Sequence, residues 1–495
     1  MVFEIPAALA LSVAQPGPTP PDRRTPLHFV LLINGIACLF MGVLLALDAL
    51  FFPATWRVFL TAGGLTCFVG TALTLVAWDA KGRLKRNHTF LLTATMWLTG
   101  AGIGALPLWL WAMTPTDAFF EAMSGITTTG STVLTGLDEK PHGILWWRAI
   151  LQWIGGVGFI VTGMALLPIL RTGGMQLFRT ESSERGEKEL HSATSVAAAT
   201  LWVYVGLTTL CLLVYLVGGM SPFDAVTHAM TTLSTGGYST HDASFGHFDS
   251  AFLQWAGTFF MFCGALPFVW YIRAANRGIF RSEQVRAFAI GLTIVILLLT
   301  FWRMVDHDAM PLPALREVAF NVVSVVTTTG FATVDYTLWG PAAQVAFFFL
   351  TAIGGCTGST AGGVKIMRWI ILSRSIGSCA RQLLHPSGIF PIRYEGRSVK
   401  DDVISGVAAF FTFFALTVFG LAVALALIGL DPVTAITGAL TAVTNVGPGL
   451  GPIIGPAGNF APLPDLAKWL LSFGMYAGRL EMLTVFVLLT RLFWE

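Results

Sequence analysis

The chain has 495 residues, 55% of them hydrophobic and only 11% charged, whereas about a quarter of an ordinary soluble domain is charged. Its mean hydropathy is +0.72, and a soluble protein of this length needs far more charge to stay dispersed, so composition excludes the soluble classes. The net charge of +2 gives no reason to expect a nucleic-acid partner. What matters is where the basic residues lie.

In chain order, Ile5–Ala14 is apolar but short, and Glu4 stands where a signal peptide would carry Lys or Arg. This stretch and the proline-rich tract ending at Arg23 and Arg24 read as a cytoplasmic tail, residues 1-26, in preference to a cleaved signal. Runs that can span a bilayer need about 20 apolar residues. They occur near Leu27–Phe51, Trp56–Trp78, Phe90–Met113, Ile144–Leu170, Ala193–Val217, Ala251–Ile272, Ala287–Trp302, Gln344–Leu372, Val403–Ile428 and Leu466–Leu492. Between some of them lie stretches too short to cross and too apolar for a loop: Asp117–Leu134, Phe223–Thr240, Leu315–Thr333 and Pro432–Leu450. Each is a candidate re-entrant segment. The scattered cysteines form no CxxC pair or Cys/His cluster and read as apolar filler. The sixteen tryptophans suit interfacial belts.

Basic residues at Arg23/Arg24, Lys81–Arg86, Arg171–Lys188, Arg273–Arg286 and Arg368–Lys400 mark one side. About twenty fall there and about six on the other, which makes the basic side cytoplasmic. All four short stretches then enter and leave from the external side. From Phe90 onward the order span, dip, span, basic loop recurs four times. The expected fold class is an all-α polytopic membrane protein with four membrane–pore-loop–membrane repeats around one pore. Its divisions are an extra transmembrane helix pair at 27-88 and repeats at 89-192, 193-283, 284-399 and 400-495. The third also holds an intramembrane gating loop.

The ends of the dips align: Thr127-Thr128-Thr129-Gly130-Ser131, Leu233-Ser234-Thr235-Gly236-Gly237, Thr327-Thr328-Thr329-Gly330-Phe331 and Thr444-Asn445-Val446-Gly447-Pro448. An acidic residue stands at the start of each apolar stretch, namely Asp117, Asp224, Glu317 and Asp431, where it complements a helix macrodipole. Such helices aim their negative ends at the membrane centre and favour a cation. Irregular backbone at membrane depth is tolerated only where it lines a cavity or pore, and glycine lets the chain turn its carbonyls inward. Four such strands around one axis can replace the hydration shell of a monovalent ion. No carboxylate lies within these segments, which argues against a ring for divalent cations. The expected filter residues are Thr128, Thr129 and Gly130; Ser234, Thr235 and Gly236; Thr328, Thr329 and Gly330; and Asn445, Val446 and Gly447.

The sequence resembles the Trk/Ktr/HKT superfamily of potassium transporters, and within it the TrkH branch. The resemblance covers nearly the whole chain. It rests on Thr127–Gly130, Ser234–Tyr238 continuing into Ser239-Thr240-His241-Asp242, Thr327–Gly330, Asn445-Val446-Gly447-Pro448-Gly449, and Gly354-Gly355-Cys356-Thr357-Gly358-Ser359-Thr360-Ala361-Gly362-Gly363-Val364-Lys365. It implies potassium as the transported ion with no organic cofactor. It also implies a homodimer with one pore per protomer, embedded in lipid of a bacterial cytoplasmic (inner) membrane, and a cytosolic TrkA-like ring of nucleotide-binding regulatory subunits. In that family a serine at the first-loop glycine accompanies sodium transport, so Gly130 with Gly236, Gly330 and Gly447 implies the potassium type. The fourth loop departs from TTTG, but an asparagine with GPG looks usual for TrkH-like members.

The third repeat's second span carries five glycines between Gly354 and Gly363. Each costs about 1 kcal/mol relative to alanine in a helix, so the span is expected to unwind under the filter. By resemblance Gly354, Gly355, Gly358, Ser359, Thr360, Gly362, Gly363 and Lys365 form a gate. Arg479, an arginine within the last span, belongs to the same path as a barrier to cations. The competing structural readings are an ion pair of Arg479 with Glu481 and a Lys365 that snorkels to the cytoplasmic face. Glu121, Arg148 and Asp242 are further candidates for bonds to pore-loop backbone. Two rival functions remain. One is a proton- or sodium-coupled secondary transporter, which broken spans also suit. The other is an intramembrane enzyme, for which no HExxH or GxSxG motif stands within a span.

Overall fold

A computed structural model describes residues 25–78, 86–166 and 193–494. The N-terminal tail, most of the Lys81–Arg86 cluster and the Arg171–Lys188 segment lie outside the described residues. Helix dominates. Six described helices are long and apolar enough to cross a membrane: Leu27–Phe51, Trp56–Val76, His88–Trp111, Val196–Val217, Glu283–Asp306 and Asp401–Leu427. A bent pair, Ala251–Gly264 with Phe268–Arg277, would make a seventh. An antiparallel hairpin pairs Arg393 with Ser398 and Tyr394 with Arg397.

The first two helices pack through small residues. A Cβ on Gly42 would meet the Cys67 sulfur at 2.5 Å, and one on Gly70 would meet Cys38 Cβ at 2.9 Å. Backbones approach this closely only where side chains are absent, a usual device for helices surrounded by lipid.

After this pair, a long helix, a short helix, an extended segment and another helix follow one another four times among the described residues. The short helices are Pro115–Ile126, Pro222–Leu233, Pro311–Val326 and Pro432–Thr444. Each begins with a proline, whose fixed φ and missing N–H suit the first helical position. In three of them the preceding side chain caps the helix: Thr114 accepts from Asp117 N, Ser221 from Asp224 N, and Asp431 from Thr434 N. Such a cap contributes about 1 kcal/mol.

The third departs from the expectation. It starts at Pro311, has no acidic residue in its first turn and no side-chain cap. Glu317 lies six residues inside and instead accepts from Arg303 at 2.6 Å.

Two other spans differ from the straight runs expected. Ala251–Ile272 turns by 90° after Gly264, because Pro267 cannot continue a helix and serves as the N-cap of the next piece. Leu466–Leu492 divides into Asp465–Arg479, Leu483–Leu488 and Arg491–Trp494, with Glu481 and Met482 at positive φ in the break. The apolar core has two large lobes. One joins the N-terminal pair to the first and fourth repeats; the other joins the second and third.

Candidate ion-conduction site

The four short helices end in the same way. Thr129, Gly236, Thr329 and Val446 each donate their backbone N–H to the carbonyl five residues back, on Ser124, Thr231, Ser324 and Thr441. The residue before each lies in the left-handed region: Thr128 at φ 54°, Thr235 at 52°, Thr328 at 58° and Asn445 at 58°. The residue after each is a glycine, again at positive φ: Gly130, Gly237, Gly330 and Gly447. The backbone register of the second loop therefore stands one residue away from the sequence alignment. Gly237, not Gly236, matches the other three glycines, and Gly236 matches Thr129; Ser234 caps its helix and stands in register with Thr127. The run Thr231–Gly237 offers two threonine–glycine alignments, and only backbone geometry separates them.

The same glycines close a ring. A Cβ on Gly130 would lie 2.2 Å from Gly236 O, one on Gly237 1.9 Å from Thr329 O, one on Gly330 2.1 Å from Val446 O, and one on Gly447 2.7 Å from Thr129 O. Each loop therefore presses its glycine against the carbonyl of the next, in chain order, and the fourth presses on the first. Contacts this short leave no room for a side chain. Positive φ adds a second reason for glycine. The hydroxyl of Thr128 is buried with no hydrogen-bond partner among the described residues, while Ser131 Oγ donates to Gly447 O at 2.9 Å and Asn445 Nδ2 to Thr129 Oγ1 at 2.9 Å.

A buried polar frame holds the first two loops together. Arg148 Nε donates to Glu121 Oε1 at 2.8 Å and Arg148 Nη1 to Ser239 O at 3.0 Å, with the guanidinium 4.0 Å over the Tyr238 ring. Glu121 also accepts from Val133 N at 2.9 Å, and Gln152 bonds Gly236 O and Tyr238 N at 2.6 and 3.0 Å. Asp242 accepts from Leu137 N at 3.1 Å. Beside it, a hydrogen bond from His241 holds the Asp138 carboxyl below the usual carboxylate range.

On the helix C-terminal side lies the glycine-rich segment. The helix Pro341–Thr351 stops and Ile366–Leu384 resumes, with Gly354, Gly358, Gly363 and Lys365 at positive φ between them. The segment docks onto the break in the second repeat. Cys356 N donates to Ala265 O at 2.9 Å and Phe268 N to Gly358 O at 3.0 Å; Thr360 Oγ1 donates to Gly264 O at 2.9 Å and Leu233 O at 3.0 Å. Two broken helices thus satisfy each other's orphaned backbone groups, as a low-dielectric setting requires. The segment also reaches the third and fourth loops: Gly362 N donates to Thr328 Oγ1 at 2.6 Å and Gly363 N to Thr444 O at 2.9 Å. Gly355 packs on Ala361 and Ala265, and Ser359 Oγ donates to Cys356 O.

Arg479 is 2% exposed and donates to Thr360 O at 3.0 Å and Gly155 O at 3.1 Å. It does not pair with Glu481, whose carboxylate accepts from Arg368 at 2.6 Å. Lys365 is buried and donates to Ala361 O, so it does not reach out to the membrane surface. Lys365 and Arg479 line, with Gly362, Gly363 and Asn445, one small pocket. Sequence reading missed Gly155, Gly264 and Gly478. A Cβ on these would lie 1.9, 3.1 and 2.0 Å from the carbonyls of Ile126, Leu233 and Val443, each the residue one step before the aligned Thr127, Ser234 and Thr444. Their signal is a glycine at one depth of the post-loop span.

Four helix-ended carbonyl loops closed into a ring inside a bundle of spanning helices define a multi-pass membrane transporter. Residues 57–493 match the TrkH family model, described as cation transport protein. The Trk system potassium uptake protein TrkI of Halomonas elongata is 50% identical over 90% of this chain and 91% of its own length. TrkH of the same organism is 36% identical over 95% and 99%. The crystal structure of the potassium transporter TrkH from Vibrio parahaemolyticus superposes with TM-score 0.87 at 32% identity, covering 95% of this chain and all of that one. The chain belongs to the TrkH family, whose members above are named as transporters and not as enzymes.

Proposed function

We propose that this chain carries potassium into the cell through a channel-like pore. The observation that supports this reading best is the ring of Gly130, Gly237, Gly330 and Gly447, each against the next loop's carbonyl. Four short helices end there, and the partial negative charge at their C-termini stabilises a cation. Oxygens of Thr128–Gly130, Thr235–Gly237, Thr328–Gly330 and Asn445–Gly447 replace water around the ion. Ser234 sits one step deeper than first expected and acts as the helix cap.

The glycine-rich segment Gly354–Lys365 gates this pore, because it bonds the ends of three of the four loops and can obstruct them only from that side. Arg479 places a fixed positive charge beneath the filter and raises the barrier to cations when the segment is seated. Kinship with the TrkH family supports, as part of this proposal, a homodimer in a bacterial cytoplasmic membrane, with the N-terminus in the cytoplasm and a TrkA-like nucleotide-binding ring as regulator.

The deciding experiment is ion-replacement flux on purified protein in proteoliposomes, comparing potassium, rubidium, sodium and lithium. Potassium and rubidium should pass and sodium should be rejected. Gly130→Ser should admit sodium, since a Cβ there displaces Gly236 O; unchanged discrimination would overturn the filter reading. A reversal potential that moves with an imposed proton gradient would favour the coupled transporter instead.

A further inference from the structure

A cluster of ligand-bearing side chains lies at the other end of the second short helix from the glycine-rich segment. That segment binds the helix's last carbonyl, on Leu233, whereas Asp224 stands in its first turn, and twelve helical residues measure about 18 Å. Near Asp224, Asp138, His241 and His247 each offer one ligand atom, all within 4.8 Å of one another. Asp138 belongs to the turn Leu137–Glu139 that follows the first filter loop. The two histidines follow the second; their rings lie parallel with centroids 3.5 Å apart, so the exposed His247 must turn its ring for both imidazole lone pairs to point at one ion. His241 Nδ1 bonds Asp138, while its Nε2 lies 3.5 Å from Asp224 Oδ1. Asp224 is itself held by Ser221 Oγ and Thr240 Oγ1, both at 2.7 Å.

We infer that Asp138, His241 and His247 form a site for a zinc-class divalent transition metal that ties the turn after the first filter loop to the turn after the second. The donor set decides the class. Two imidazole nitrogens and one carboxylate suit zinc, nickel or copper, whereas calcium and magnesium take oxygen ligands. Three protein ligands leave a fourth tetrahedral position for water. Asp224, 3.5 Å from His241 Nε2, stands where an outer carboxylate would close on a ligating histidine and orient it. On binding, the metal replaces the proton between His241 Nδ1 and Asp138, and that proton leaves to solvent. The carboxylates of Asp138 and Asp224 balance the double charge. None of this depends on which ion the filter passes.

The test uses the full-length chain in detergent micelles, with Zn²⁺ competed against a chromogenic chelator and Co²⁺ followed by visible absorption. One Zn²⁺ per chain is expected, with a tetrahedral Co²⁺ spectrum. His247 is exposed, so His247→Ala keeps the fold and should weaken Zn²⁺ binding by about 100-fold or more. Asp224→Asn should weaken it about 10- to 100-fold as an outer-sphere change. Cys379→Ser, at the exposed cysteine, should leave it unchanged. The assignment is overturned if His247→Ala and Asp138→Asn both bind Zn²⁺ as the parent does, or if the parent binds none.

Discussion

The glycine ring and the layer beneath it are built on opposite plans. In the ring all four loops repeat one geometry: the same five-residue hydrogen bond, the same pair of positive φ values, and the same glycine against the next carbonyl. Beneath it the repeats diverge. Gly155, Gly264 and Gly478 press on their own short helices, but in the third repeat the helix has unwound and its segment leans on the second, third and fourth repeats. The filter proposed above needs equivalent oxygens, and four copies held alike suit that role. The gate proposed above needs one element that can move separately, and the unwound third copy, bonded to Arg479 through Thr360 O, is the one that differs from the rest.

The largest expected effect lies in the frame that makes the ring possible. Arg148→Ala leaves the Glu121 carboxylate buried and uncompensated, at a cost of about 3–5 kcal/mol. Thermal unfolding of the purified protein should show a large drop, and an unchanged melting temperature would remove the frame from the account. Next comes the register of the second loop. Gly237→Ala should reduce potassium-over-sodium discrimination by about tenfold or more, equivalent to at least 1.4 kcal/mol, because a Cβ meets Thr329 O at 1.9 Å. Gly236→Ala meets the Gln152 amide, a side-chain end and not backbone, so the strain falls on two hydrogen bonds of the frame and discrimination should suffer less. Flux assays that rank the two the other way would restore the earlier alignment.

A smaller effect separates the lower layer from the ring. Arg479→Ala should raise basal rubidium flux by about tenfold, since a fixed charge in a low-dielectric path is worth a few kcal/mol, while leaving ion discrimination intact. Altered discrimination would show that the two layers are not independent. The smallest is Thr360→Val, which removes the hydroxyl bonding Leu233 O and Gly264 O. Loss of about 1 kcal/mol should loosen the seated segment and raise basal flux several-fold in the same assay.

Sequence alone made the membrane class, the four dips and the interrupted third span legible, because apolar length and glycine density are one-dimensional signals. The capped starts were also within reach: Thr114-Pro115, Ser221-Pro222 and Asp431-Pro432 share one grammar. The one-residue shift at Gly236 and Gly237 was not, since both are glycines and only φ and hydrogen bonding distinguish them. Nor was the 90° turn at Pro267, hidden in a run whose composition is that of a straight span. Partners such as Arg368 for Glu481 join residues more than a hundred positions apart, and pairing at that distance leaves no local pattern.

The ring closes in the order in which the chain is written, and the fourth repeat lies beside the first. Tyr476 Oη donates to Ala94 O at 3.1 Å, Phe460 N to Thr132 O at 2.9 Å, and Lys468 pairs with Asp117 at 2.6 Å. Neighbours in space are therefore neighbours along a circle, and the seam between the fourth repeat and the first is held by hydrogen bonds and an ion pair where the other seams also have a covalent link.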